Sequence, residues 1–479
     1  MRLALLLLAL TCILSPHATA AERPNVLLIC VDDLKPLLGC YGETSVKSPH
    51  IDRLAARGLR FDHAYCNQAV CSPSRNALLT GLRPQTLGIY DLPTNFRKAA
   101  PTAVTLPEHF QQHGYHTAAL GKIFHVGHGN FEDQQSWSVP HWRPKAQQFA
   151  RPENKPKAAP RGAKRNTQPR GPAYEAADVS DSVYADGQIA DEAIRRLQQA
   201  AEQPDEPFFL AVGFLRPHLP FCAPQKYWDL YDRQAFPLPA LRTPPAGAPD
   251  YAPTNWGELR QYEGMPKRGD LSAAEQRTLI HGYHAAVSYM DAQLGRVMAA
   301  LDETGLADNT LIVFWGDHGW HLGDHGQWCK HTNYEQAARI PLLVVAPGVA
   351  AKNGQTKALV ETVDIYPTLC ELAKLPTPKG LDGQSFAATL KDPAATTRDS
   401  VIHVYPRGPR IGRAIRTAQH RLVEWKVPSA PADTAEIELY DYQNDPLESK
   451  NLAQEQPETV AQLRSLLAKH PEAKPQLRP

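Results

Sequence analysis

The hydrophobic positions of this chain fall into short unbroken runs. Asn25 to Val31 (NVLLICV), Pro207 to Phe214 (PFFLAVGF), Thr310 to Trp315 (TLIVFW) and Ile340 to Ala346 (IPLLVVA) show no polar face, as expected of strands covered on both sides. Between them the spacing predicts helices over Asn76–Thr80, Ala185–Ala201 and Ser272–Glu303, the last long enough for two or more segments. Strands alternating with helices predict an α/β architecture: a large, mostly parallel sheet between helices, with its ligand site beyond the carboxyl ends of the strands. From about Thr397 the pattern changes to closely spaced strands, VIHVY, AIRTAQHRLVEW and EIELYDY, which predict a small C-terminal antiparallel β subdomain. The expected division is a main domain over 21–396 and a subdomain over 397–479.

Two stretches stand outside this pattern. Arg2 precedes the apolar run Leu3 to Leu10, Ile13 and Leu14 follow, and Ala18-Thr19-Ala20 closes the segment, so residues 1–20 read as a secretory signal peptide and the product as periplasmic or secreted. Thr11, Ser15, Pro16 and His17 interrupt the run before the roughly 18 residues a membrane span needs. Asn130 to Ala176 reads as a long loop carrying Arg151, Lys155, Lys157, Arg161, Lys164, Arg165 and Arg170 against Glu153. Such a tract is a solvated surface segment or a rim that attracts an anionic polymer.

Composition narrows the classes. With 479 residues, 42% hydrophobic and 21% charged, the chain has length for two or three domains and is no disordered, coiled-coil or polytopic membrane protein. Its 43 prolines are about twice the usual ~5% share and place many residues in ordered loops. Lys and Arg number 51 against 50 Asp and Glu. That balance provides no global field for nucleic acid, so a charged substrate needs a local site. Of eight cysteines one, Cys12, lies in the leader, and the odd remainder leaves at least one thiol outside any disulfide. The spacing sets no pairing for the others.

Polar residues cluster where the strands end. Asp32-Asp33 ends the first strand and Asp317-His318 follows TLIVFWG; together they suit a hard cation, calcium or magnesium, better than zinc. Either pair alone reads equally well as a helix cap or a turn. Lys122 and His125 follow the strand-like HTAAL, His218 follows Arg216-Pro217 after PFFLAVGF, and Lys330 lies in Gln327-Trp328-Cys329-Lys330-His331. Each of these taken alone suits a structural role as well.

The block Cys71-Ser72-Pro73-Ser74-Arg75, followed by Asn76-Ala77-Leu78-Leu79-Thr80-Gly81, has the form C-x-P-x-R and resembles the formylglycine-dependent sulfatases. GKIFH, RPHLPF, YHAAVSYMDAQLGR, FWGDHGWHLGDHGQWCKHTNYE and ELYDYQNDPLESKNLA are similar to the iduronate-2-sulfatase branch, from Asn25 to about Leu452. The resemblance implies an alkaline-phosphatase-like fold with a catalytic domain over 21–396, and oxidation of Cys71 to formylglycine by a maturase. It implies one calcium ion held by Asp32, Asp33, Asp317, His318 and the modified Cys71. It gives the sulfate to Lys122, Lys330 and Arg75, the nucleophile's second hydroxyl to His125 and the leaving oxygen to His218. A helix starting near Pro73 would add its positive end to the same anion.

The reaction implied is hydrolysis of a sulfate ester on a sugar, a 2-O-sulfate of a uronic acid such as iduronate in a glycosaminoglycan or similar polysaccharide. Arg216 where a lysine is frequent, Asp324 where a glutamate is, and Arg413 in Ile411-Gly412-Arg413, expected near the substrate mouth, bear on the sugar rather than the reaction. The alternatives are a phosphatase or phosphonate monoester hydrolase of the same superfamily, a sulfatase for another algal or glycosaminoglycan position, and a silent polysaccharide binder. A silent binder is expected to lack some of the cation and metal residues.

Overall fold

In a computed structural model, residues 23–156 and 170–478 are described. The leader assigned to residues 1–20, and Lys157, Arg161, Lys164 and Arg165 of the basic loop, lie outside the described residues. Seven strands share one sheet: β1 (Asn25–Val31), β2 (Leu59–Tyr65), β3 (His116–Gly121), β4 (Phe208–Phe214), β5 (Thr310–Gly316), β6 (Arg339–Val345) and β7 (Gly354–Glu361). Their order is β7-β2-β6-β5-β1-β4-β3. β6 runs antiparallel to both neighbours, and the other pairings are parallel. The sheet is therefore mixed and mostly parallel.

Alternate residues of β1 serve opposite cores, which is why its run has no polar face. Leu27, Ile29 and Val31 pack with residues of helices α1 (Pro49–Ala56), α4 (Ala185–Ala201) and α5 (Ala273–Glu303). Val26, Leu28 and Cys30 pack with α2 (Cys71–Thr80), α3 (Leu106–Gln112) and α6 (Ile365–Leu372).

The stretch expected to hold two or more helical segments is a single 31-residue helix, α5. No proline interrupts it, and a capping box between Ser272 and Glu275 starts it. Gly295 inside it marks close packing, because a Cβ there would lie 1.9 Å from Nδ1 of His50. AIRTAQHRLVEW, read as one strand, folds into two, with Thr417 and His420 closing the turn between them by hydrogen bonds.

Those two are β9 (Arg410–Thr417) and β10 (His420–Lys426) of a four-stranded antiparallel sheet that begins with β8 (Ser400–Arg407) and ends with β11 (Glu436–Asp441). One face packs under α7 (Pro457–Leu467) through Leu463 and Leu467. The other face presents Ala414, Val423, Trp425 and Tyr440 to Tyr334 and Val70 of the main domain. Residues beyond α7 return to the main domain, where the Lys474 and Leu477 amides bond the Gln85 and Gly88 carbonyls. All seven described cysteines are free, and no described helix is long and apolar enough to cross a membrane.

An ion pair between the two units sets an acid limit. Glu335 receives Tyr65 Oη at 2.8 Å and Arg416 of β9 at 3.3 Å. Burial alone would raise the Glu335 carboxyl, but Arg416 and Arg339 overcome it and hold the group at about 2. A carboxyl depressed on folding stabilises fully above its unfolded value near 4.3 and loses that contribution as the pH falls toward 2. Glu335→Ala leaves Arg416 buried without this partner and is expected to cost about 3 kcal/mol at pH 7. Urea midpoints should show that cost shrinking between about pH 4.5 and 2; a cost independent of pH would refute the assignment.

Candidate active site

The carboxyl ends of four neighbouring strands deliver the chemistry to one edge. Asp32 and Asp33 follow β1, Asp317 and His318 follow β5, Lys122 follows β3, and Arg216 to His218 follow β4. Gly121 turns the chain at φ 73°, close against the Gly213 carbonyl. α2 starts at Cys71 itself, two residues before Pro73, so the positive end of its dipole lies at the cysteine. All ten residues of α2 are buried.

Three carboxylates meet here with almost no solvent. Asp32 is 1% exposed and Asp33 and Asp317 are 0% exposed, an arrangement that needs countercharge. Arg75 donates to Asp317 Oδ2 at 2.9 Å and Asp32 Oδ1 at 3.2 Å, and to the Lys122 and Ile123 carbonyls. Lys122 pairs with Asp32. Lys330 donates to both oxygens of Asp33, at 2.8 and 3.0 Å, and the Asp33 amide bonds Asp317 Oδ1 at 3.0 Å. Burial works against charging Asp32, yet Lys122, His218 and Arg75 hold its carboxyl well below the usual range.

The donor set fits a hard cation. His318 Nδ1–H donates to the Gly319 carbonyl at 3.0 Å, which turns Nε2 toward Cys71 Sγ at 3.4 Å and the Asp33 and Asp317 oxygens at 3.3 and 3.5 Å. A ring nitrogen oriented by its other nitrogen and converging with carboxylate oxygens is an arrangement that can ligate a cation. One ligand atom from each of Asp32, Cys71, Asp317 and His318 lies within 4.8 Å of the others, and the same holds for Asp32, Asp33, Cys71 and His218. Oxygen-rich sets of this kind suit calcium or magnesium.

Above this floor opens a cavity of about 1020 Å³ lined by Asp32, Cys71, Lys122, His125, His218 and Lys330 among others. Arg75 is fully buried and does not line it. It braces the carboxylates from behind, whereas the sequence resemblance had brought it to the sulfate. Burial and Asp32 push the Cys71 thiol well above its ordinary value, which leaves an unmodified cysteine a poor nucleophile here. Burial and Lys122 hold His125 at about 2, hence neutral, with its Nε2 3.2 Å from His128 Nδ1. Arg413 lies away from this mouth: it is buried on β9, where it meets Glu472 at 2.9 Å and the Leu467 and His470 carbonyls. Its strand position points it toward the segment after α7.

Strain concentrates on the same residues. Asp33 has φ 62°, and Lys330 is flanked by Cys329 at φ 70° and His331 at φ 64°, conformations that cost side-chain-bearing residues about 1–3 kcal/mol each and mark functional geometry. Glu258 and His331 are among the cavity residues that escaped the sequence reading. Glu258 reaches His218 Nε2 and Lys330 Nζ, each at 3.1 Å; it lies in an aperiodic loop, WGELRQ, where a lone acid reads as solvated. His331 was quoted only as Lys330's neighbour, and it lines the cavity too. Arg170, at the described end of the basic loop, is on the wall, while Arg151 and Lys155 are exposed.

The sulfatase family model matches residues 24–375. The chain belongs to the sulfatase family. A second model, the C-terminal part of N-sulphoglucosamine sulphohydrolase, matches 323–473 of this sulfatase. It is 37% identical to the iduronate 2-sulfatase of Mus musculus over 78% of this chain and 72% of that protein. With the iduronate 2-sulfatase of Homo sapiens it shares 33% identity over 91% and 92%. The solved phosphonate monoester hydrolase of Agrobacterium radiobacter superposes with a TM-score of 0.76 at 24% identity, covering 94% of this chain and 96% of its own. The fold is thus alkaline-phosphatase-like and the chain is a sulfuric ester hydrolase.

The cation fit has a direct check. Calcium or magnesium at about 100 times its dissociation constant is expected to stabilise this sulfatase by about 2.7 kcal/mol, and Asp317→Ala to abolish most of that gain. Denaturant midpoints with and without the ion measure it; an equal gain in the variant would place the ion elsewhere.

Proposed function

We propose that this sulfatase hydrolyses the 2-O-sulfate of a uronic acid, iduronate foremost, in a sulfated polysaccharide, with formylglycine made from Cys71 by a maturase. The observation that carries the reading is Cys71 at the start of a buried helix, on the cavity floor and 3.4 Å from His318 Nε2 in the carboxylate cluster. The sugar rests on the 33–37% identity to iduronate 2-sulfatases across most of the chain. The enzyme acts outside the cytoplasm, after the leader over residues 1–20 is removed.

Asp32, Asp33, Asp317 and His318 would hold one calcium ion, which supplies Lewis-acid activation of the nucleophile's oxygen and of the sulfate. Formylglycine at position 71 would supply a hydrated aldehyde as the nucleophile toward sulfur. The chain's own groups do the rest. Lys122 and Lys330 line the cavity and face a tetrahedral anion whose charge spreads over three oxygens. Arg75 bridges Asp32 and Asp317 from behind, and Lys330 holds Asp33. His218 Nδ1–H is committed to the Leu219 carbonyl at 2.6 Å, so Nε2 is the nitrogen that hands a proton to the departing sugar oxygen. Burial would lower this ring, but the carboxylate of Asp33 outweighs it and the ring is held above its ordinary value. His125, on the cavity wall, would accept the proton released as sulfate leaves.

Sulfate release from a panel of glycosaminoglycan disaccharides, with alcohol release from a phosphonate monoester measured alongside, tests the reading in protein co-produced with a formylglycine-generating enzyme. Release confined to the 2-O-sulfated uronate, absent in Cys71→Ala, is expected. Silence across the panel in protein whose Cys71 peptide carries the aldehyde by mass spectrometry would remove the uronate, and preferred turnover of the phosphonate would remove the sulfate ester. On a small aryl sulfate Lys330→Ala should lower kcat/KM by about 10²–10³-fold, and Arg165→Ala by less than about threefold. Equal losses would sink the role of Lys330.

A further inference from the structure

We infer that Glu258 is a positioning residue that sets the distance between the proton donor His218 and the sulfate-binding Lys330. The inference rests on the roles proposed above for those two residues. One carboxylate spans them, Oε1 on His218 Nε2 and Oε2 on Lys330 Nζ, both at 3.1 Å. His218 has one other fixed contact, the Nδ1–H bond to the Leu219 carbonyl. The nearest alternative partner of Nε2 is Asp33 Oδ2 at 3.9 Å, beyond hydrogen-bond range. Without Glu258 the ring is held at one end only, and Lys330 keeps Asp33 and the face of the Trp320 ring, 5.1 Å away, but loses its link to the loop.

The loop that carries Glu258 is built to hold a fixed position. Trp256 and Leu259, on either side, are buried in the main core. The Thr254 amide bonds Gln327 Oε1 at 2.9 Å, and Gln327 lies three residues before Lys330. The Glu258 side chain is 14% exposed at the cavity wall. The loop and the lysine turn are therefore tied together twice, by Gln327 and by Glu258. A glutamine is close in shape, but its amide offers one acceptor and one donor where two acceptors are needed, so only one of the two contacts survives.

The test is Glu258→Gln, with Glu258→Asp as a second variant, each checked for folding by thermal denaturation and for the Cys71 aldehyde by mass spectrometry. Turnover is compared on a disaccharide bearing a non-reducing 2-O-sulfated uronate and on 4-nitrophenyl sulfate, whose nitrophenolate departs without a proton. The expected result is a kcat ratio, sugar over aryl sulfate, at least tenfold lower in Glu258→Gln than in the wild type, with Glu258→Asp between them. Equal losses on both substrates, or no loss on the sugar, overturn the inference. A crystal structure of Glu258→Gln gives a readout independent of substrate: a His218 ring or Lys330 ammonium displaced by about 1 Å supports it, and both in their original places overturn it. If the wild type cleaves neither substrate, the uronate reading fails while the crystal structure still decides the role of Glu258.

Discussion

Three buried carboxylates, Asp32, Asp33 and Asp317, converging at one edge of the sheet are the constraint from which the rest of this molecule follows. Taking such groups from water costs several kcal/mol each unless countercharge is fixed around them. Arg75 behind, Lys122 and Lys330 at the cavity side, and a set of donors suited to a hard cation supply that countercharge. Each comes from a different part of the chain, so the cluster forms only when the sheet, α2 and the turn after Trp328 are all in place. The left-handed backbone at Asp33, Cys329 and His331 is the strain tolerated to aim these groups at one point.

The C-terminal sheet enters the same account. Asn333, three residues beyond Lys330, accepts from His403 Nδ1 at 3.0 Å and donates to the Gly412 carbonyl at 3.1 Å. Arg421, fully buried, bonds the Asn333 carbonyl and pairs with Glu448. The subdomain thereby clamps the segment that carries Lys330, and its inner face packs on Val70, immediately before the helix that starts at Cys71. It contributes no proposed catalytic residue, yet it holds two elements that do. Arg413, whose charge looked available to a substrate, is spent on closing this unit against residues beyond α7.

Much of the site was legible because strand ends and motif blocks are local in sequence. Asp32-Asp33, Asp317-His318 and Cys71-Ser72-Pro73-Ser74-Arg75 each announce themselves within a few residues, and parallel strands gather their carboxyl ends at one edge. Glu258 was not legible. Its loop has no periodicity, and its partners are 40 and 72 positions away. The same holds for the orientation of Arg75: its presence in the motif was visible, whereas its burial behind Asp32 and Asp317 depends on how α2 meets β1 and β5.

By itself the sequence determined the strand runs, the change to an antiparallel tail, the chemical types at the strand ends and the family resemblance, because each is a property of neighbouring residues. The tertiary structure alone decided the antiparallel course of β6, the unbroken length of α5, and which cations face the cavity. These depend on contacts between distant segments, where burial and countercharge select one arrangement that local pattern leaves open. Glu258 belongs to that second group, since a carboxylate acquires a partner-setting role only when folding brings a histidine and a lysine to its two oxygens.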